Sequence, residues 1–370
     1  MLITDISVIS QSFSTDTWLD RQRVSTPMSV FPRFAERRSS WRGPGADLVS
    51  VWVQTDGEAY GIGQTRGGAV TAAFIEHHLK PLLIGQDPRH VVRRTEEMRR
   101  AASPYARGGV LAMGTAAVEL ALWDLVARAM GAPLTALLGG HHEPLNYYLT
   151  CANPEAVATL DTQLLDGAAA IKVPATYGPA FGRSGLESSI ELITSLRRSL
   201  PSGLPIAIDC FMSWDLEFAT RFALGTADLG VTWIEEPFSP NDLASYAELR
   251  RRVAPTRVAG GEHLFDLSEA TTFMESACID LLQTDLTWFG GLRNSLVVAT
   301  AAEALGLIFA PHGGGLQPWA VHLVAACGPT ALVEVMVGVT DHEVAAPRAS
   351  TEPGVGLTPD QVGFGVDDDR

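Results

Sequence analysis

From about residue 145 the chain alternates short apolar runs with longer stretches whose apolar residues recur at helical spacing. The short runs predict strands at NYYLTC, AAIKVP, PIAID, VTWIE, RVAGG, IDLLQTD, GLIFA and ALVEV. Between them lie amphipathic segments such as LESSIELITSLRRSL, LASYAELRRRV and LRNSLVVATAAEALG. Strands that alternate with helices eight times over favour a closed parallel (β/α)8-type barrel rather than an open sheet. The first 125 or so residues do not follow that rhythm. There LVSVWVQTDGEAYGIGQT alternates apolar and polar positions around Asp56-Gly57, which predicts a hairpin. AAFIEHHLKPLL and HVVRRTEEMRRAA read as helices, as does AAVELALWDLVARAMGAPLTALLGG, with Gly131 and Pro133 ending it. The expected organisation is an α+β capping domain over 1–125, a TIM barrel over 126–341, and a Pro- and Gly-rich segment over 342–370 that returns to the cap.

Onto this pattern falls a second one. Asp209, Glu235, Glu262, Asp285 and His312 follow one another at gaps of 26, 27, 23 and 27 residues, each closing one of the apolar runs. That interval is the length of one strand plus one helix, and the carboxyl ends of barrel strands converge on one mouth. Any one of these acids alone would read as a loop or helix-capping residue. Gathered together, Asp209, Glu235 and Glu262 repel by about 4 kcal/mol per pair at an effective dielectric near 20. A hard divalent cation relieves that repulsion, so they are expected to hold Mg²⁺, with Mn²⁺ as a substitute. His312 is the candidate base, and Asp285, one strand earlier, the group that orients it. Lys172 in AIKVP is expected to be a fixed cation that binds a substrate carboxylate or steadies developing charge. Glu334 on the last strand and His263 beside Glu262 are candidate substrate contacts.

Composition narrows the picture. With 42 acidic against 27 basic residues the net charge is −15, which argues against nucleic acid or an anionic membrane as partner. The four cysteines form no CxxC pair, as expected for reduced thiols in a cytoplasmic protein. The start MLITDISVIS lacks the features of a signal peptide, and no uncharged apolar stretch reaches membrane-spanning length. Lys80 and Lys172 are the only lysines beside 25 arginines. Six of those arginines (Arg21, Arg23, Arg33, Arg37, Arg38 and Arg42) crowd an irregular stretch of the cap, the expected source of positive charge over an acidic mouth.

The ordered motifs ELALWDLVAR, WIEEP at 233–237, GGEH at 260–263, QTD at 283–285 and APH at 310–312 resemble the enolase superfamily, in its mandelate racemase/muconate lactonizing enzyme family. The resemblance implies a modified (β/α)7β barrel with a capping domain, and a symmetric homo-oligomer. It also implies Mg²⁺ on Asp209, Glu235 and Glu262, a catalytic dyad of Asp285 and His312, and Glu334 as the acid of the last strand. Racemases of this branch carry Lys-x-Lys on the second strand. Here the run is Lys172-Val173-Pro174, and proline cannot take a proton, so two-base racemisation is not expected. KVPATYGPAFGRSGL, DCFMSWD at 209–215, YAELRRRV at 246–253 and TPMS at 26–29 look like the L-rhamnonate dehydratase group. Two cap positions match substrate contacts of that group: Arg38, and Thr17 where the group carries histidine. The loop after His312, GGGLQPW, also departs from it.

The implied reaction removes the proton α to the carboxylate of a small-molecule acid sugar and expels the β-hydroxyl as water. Such a proton is far less acidic than an imidazolium, and each unit of mismatch costs about 1.4 kcal/mol. His312 alone cannot cover that gap, so metal and Lys172 are expected to stabilise the enediolate. A syn elimination from an aldonic acid, of which L-rhamnonate is the model, would yield a 2-keto-3-deoxy acid. The alternatives are an epimerase or cycloisomerase using the same enediolate, or a barrel with a vestigial site. A nucleotide-dependent reductase is disfavoured, because Gly313-Gly314-Gly315 is no GxGxxG between strand and helix.

Overall fold

A computed structural model of the chain describes residues 1–12, 23–36, 47–151, 160–337 and 345–364. The N-terminal part is a three-stranded antiparallel sheet of β1 (Ile3–Gln11), β2 (Leu48–Thr55) and β3 (Gly61–Thr65), in that order. The expected hairpin joins β2 to β3. β1 pairs with β2 from Ile3 to Gln11, with one irregularity between Ile3 and Asp5, although ITDISVISQ gives only a weak alternation. One face of the sheet, with Ile3, Ile6, Val49, Val51 and Val53, is buried against helices drawn from residues 68–129. Gly61 and Gly63 are what let the sheet meet the helix Gly109–Ala129 so closely. A Cβ on either would fall 1.9 Å from a carbonyl oxygen of that helix. By length and composition this helix could cross a membrane, but 72% of its most apolar window is buried inside the protein, which makes it a core helix.

The remainder is an eight-stranded parallel sheet curled into a barrel. Its strands are β4 (Tyr147–Cys151), β5 (Ile171–Pro174), β6 (Ile206–Asp209), β7 (Val231–Glu235), β8 (Arg257–Gly260), β9 (Leu281–Leu282), β10 (Ile308–Phe309) and β11 (Val333–Val337). They pair in the order β10-β9-β8-β7-β6-β5-β4-β11, so the last strand lies beside the first. At the remaining seam the Leu332 N–H donates to Phe309 O at 3.0 Å, which closes the ring. A helix lies between each strand and the next, giving the (β/α)7β form of the TIM barrel under an α+β cap. The interior is packed, with Tyr148 and Trp233 edge to face at 5.2 Å and Ala170, Ala207, Ala259 and Ala310 making room for them. All eight strands expected from the apolar runs are present. β9 and β10 are only two residues long, so Asp285 and His312 stand in the loops beyond them.

Two buried acids of the helix Gly109–Ala129 tie the parts together. Glu119 accepts the Leu292 and Arg293 N–H groups at 2.8 and 3.1 Å, capping the barrel helix Leu292–Ala304 from outside. Asp124 accepts from Ile62 of β3 and from Val355 of the C-terminal segment, both at 2.8 Å. Further along that segment Phe364 packs on Trp52 of β2 at 5.5 Å. None of the four cysteines forms a disulfide.

Candidate active site

Asp209 ends β6, Glu235 ends β7, and the two face each other in register. Glu262 stands two residues beyond β8. The exits of these strands are strained: Phe211, Met212 and Glu236 hold φ of +47°, +57° and +40°. Each such conformation costs on the order of 1–3 kcal/mol in a residue with a side chain, and such strain collects at functional sites. The Phe211 N–H donates to Asp209 Oδ1 at 3.1 Å. Glu235 accepts from Lys172 Nζ on Oε1, and from Gln283 Nε2 (2.6 Å) and Trp233 Nε1 (3.2 Å) on Oε2. Burial, and then the charge of Glu235, push the Asp209 carboxyl well above its ordinary range. Glu235 is also raised by burial, although Lys172 opposes the shift. The cluster thus holds more carboxylate charge than its one lysine balances. A surplus of hard oxygen donors is what Mg²⁺ requires, so the residues fit that ion. Prospective ligand atoms on Glu236, Glu262 and His263 also lie within 4.8 Å of one another. In that set Glu236 and His263 are already bonded to each other at 2.7 Å.

His312 Nδ1 lies 2.8 Å from Asp285 Oδ2, and its Nε2 faces Glu262 Oε2 at 3.5 Å. Burial opposes a charged imidazole here, but Glu262 and Asp285 outweigh it and hold His312 well above its ordinary value. Asp285 is itself fixed, because the Thr287 N–H and hydroxyl donate to its Oδ1 at 2.8 and 2.7 Å. His263 is lifted to about 9, against burial, by Glu236 and then Glu262. The indole of Trp288 has its ring centre 5.6 Å from each of the two imidazoles.

Lys172 is no solvated lysine. It is 1% exposed, with Nζ on Glu235 and 2.8 Å from Glu334 Oε1. Burial would strip its charge, but Glu235 and Glu334 keep it a cation far above the ordinary range. Glu334 accepts from Thr150 Oγ1 at 2.5 Å and from the Gly313 N–H at 2.6 Å. Burial works against its charge, yet Lys172 and then His312 hold it at about 2. It is therefore an acceptor with no proton to donate.

Sequence reasoning passed over Glu236, Gln283, Thr287, Trp288 and Gln317. The only signal for Glu236 was its place inside WIEEP; with a positive φ its carboxylate accepts from Gly261 N–H and His263. Of the cap arginines, Arg23 stacks on Tyr177 and Phe181 at 5.1 and 5.4 Å and pairs with Glu36. It therefore docks the cap segment on the loop after β5, where the Ser25 N–H also donates to Ala175 O at 2.7 Å. Arg33 lies over Phe34. Arg38 and Thr17, with Arg21, Arg37 and Arg42, lie outside the described residues.

Comparison with known proteins follows the same lines. Residues 43–139 match the mandelate racemase/muconate lactonizing enzyme N-terminal domain, and residues 155–370 match the enolase C-terminal domain-like family. A protein of Caldivirga maquilingensis, provisionally named an L-rhamnonate dehydratase, is 32% identical over 322 residues, 84% of this chain and 79% of its own length. The crystal structure of L-rhamnonate dehydratase from Gibberella zeae superposes with a TM-score of 0.85 at 28% identity, covering 96% of this chain and 93% of that one. A structure of rhamnonate dehydratase from the same organism complexed with Mg gives 0.86 at 25% identity over the same shares.

Proposed function

The chain belongs to the mandelate racemase/muconate lactonizing enzyme family of the enolase superfamily, and on that footing we propose that it is a Mg²⁺-dependent acid-sugar dehydratase. It converts an aldonic acid of the L-rhamnonate type to a 2-keto-3-deoxy acid. The observation that carries the reading is the bond between His312 Nδ1 and Asp285 Oδ2 beside the three acids. With Nδ1 on Asp285, Nε2 faces the mouth; a divalent cation on the acids would offset the Glu262 charge that keeps His312 protonated, and so leave Nε2 able to take a proton. When bound by Asp209, Glu235 and Glu262, Mg²⁺ supplies the positive charge that cancels their repulsion and stabilises negative charge on a substrate carboxylate.

The other steps belong to the chain. His312 Nε2 takes the proton from C2, and the C2–H electron pair moves toward the carboxylate to give the enediolate. Lys172, fixed as a cation by Glu235 and Glu334, steadies that charge. The imidazolium returns its proton to the hydroxyl on C3, the C3–O bond breaks, and water leaves from the same face. The enol then takes a proton on C3 and releases its hydroxyl proton from C2–OH to give the 2-keto-3-deoxy acid. Pro174 removes the base that would reprotonate the opposite face. Arg38, Thr17, His263 and Glu334 are the residues proposed to contact the substrate.

A panel of aldonic and aldaric acids, incubated with the Mg²⁺-loaded protein, tests this. A 2-keto-3-deoxy product that disappears with EDTA and returns with Mg²⁺ is expected. Recovered substrate carrying solvent deuterium at C2, or a ring product formed without loss of water, would replace dehydration by epimerisation or cyclisation.

A further inference from the structure

The loop after His312 holds a residue that the reaction just described does not use. Gln317 Nε2 lies 3.1 Å from Asp285 Oδ1 and 3.0 Å from Asp285 Oδ2, so one amide straddles both oxygens of the acid. A longer contact, 3.4 Å, runs from the same nitrogen to the His312 carbonyl. The other end of the amide, Oε1, is buried with no hydrogen-bond partner among the described residues. A glutamine kept only for packing would satisfy both ends, since a buried acceptor left without a donor is costly. Among the described residues this one gives its donor to no side chain but Asp285 and finds no donor for its acceptor. The amide cannot turn round, because Asp285 accepts and would then face Oε1.

The backbone of Gln317 is held as firmly as its side chain. Its N–H donates to Gly314 O at 3.1 Å, and its carbonyl accepts from Ala320 at 2.9 Å at the start of the helix Pro318–Val324. Asp285 Oδ1 is already held by Thr287. Oδ2, the oxygen that meets His312, has only His312 and Gln317 as its partners among the described residues.

We propose that Gln317 is a positioning residue of the dyad: it fixes the plane of the Asp285 carboxylate and thereby the direction in which His312 presents Nε2. This deepens the dehydratase reading and rests on it for the consequence in turnover, though not for the geometry. A displacement on the order of 1 Å at a reacting group costs about a hundredfold in rate. Gln317→Met keeps the length and removes the donor. It is expected to lower kcat by about tenfold to a hundredfold, with KM and the thermal midpoint little changed.

Two readouts separate positioning from packing. In a double-mutant cycle with Asp285→Asn, the Gln317 change becomes nearly silent, within about twofold, because it acts through Asp285. In protein labelled with ¹⁵N-histidine, the ring signal that His312→Asn removes shifts or broadens in Gln317→Met. Wild-type kcat and an unmoved His312 signal in Gln317→Met would overturn the proposal, as would a full effect persisting without Asp285. If no acid sugar is turned over by the wild type, the dehydratase reading fails alone, and the His312 signal still decides the role of Gln317.

Discussion

Lys172 shows how much a single side chain can depend on distant partners. Its sequence context announces only a lysine at the end of an apolar run. In the fold it becomes a buried cation between Glu235 and Glu334, 63 and 162 positions away. Removing one partner of a buried ion pair leaves charge uncompensated, at a cost of about 3–5 kcal/mol. Lys172→Met should lower unfolding stability by that order in denaturant titration, and adding Glu334→Gln should recover part of the loss. A change below about 1 kcal/mol would contradict the charge balance described here. The ligand-like acids were legible in the sequence because they sit one strand-plus-helix apart. Glu236 and Gln317 were not. The direction of Glu236 depends on a positive φ, and that of Gln317 on a turn whose three glycines carry no side-chain pattern.

At the scale of elements, periodicity revealed the barrel because each strand buries a near-continuous apolar run and each helix an apolar stripe. It revealed less of the cap. β1 shows weak alternation, and no local signal marks Gly61 and Gly63 as the places where sheet and helix touch. The least legible link is Glu119, which caps a helix 173 positions away. Burial raises its carboxyl from an ordinary 4.5 to about 7, against the pull of the N–H groups it accepts. The folded state therefore holds the proton more tightly than the unfolded chain. Stability from this group is greatest below about pH 4.5, falls as pH rises toward 7, and levels off above it. The total is about 3 kcal/mol at 1.36 kcal/mol per unit. Unfolding midpoints from pH 5 to 8 should show that slope in the wild type and a flatter line in Glu119→Gln; parallel lines would refute it. Gly291→Ala should also destabilise, since Gly291 has φ +93° and its Cβ would lie 2.1 Å from Glu119 Oε2. Differential calorimetry would show it as a lower midpoint, and an unchanged midpoint would mean that the cap yields without cost.

For the whole molecule, Glu119, Asp124 and Phe364 all make contacts between parts, so cap and barrel are expected to unfold together. Relief of the crowding among Asp209, Glu235 and Glu262 should therefore be felt in global stability. Mg²⁺ at a hundred times its Kd should stabilise the fold by about 2.7 kcal/mol. That gain should saturate with concentration and be lost in Asp209→Asn; a midpoint indifferent to Mg²⁺ would show that the acids hold no ion. The central claim is that His312 moves the proton in a dehydration. Its most direct test is product formation by wild type and His312→Asn, side by side, on the acid sugar that the wild type turns over best. Both proteins would be Mg²⁺-loaded and matched in melting behaviour. The account predicts a 2-keto-3-deoxy acid from the wild type and a loss of at least about a hundredfold in the variant. Near-full turnover by folded His312→Asn would contradict it.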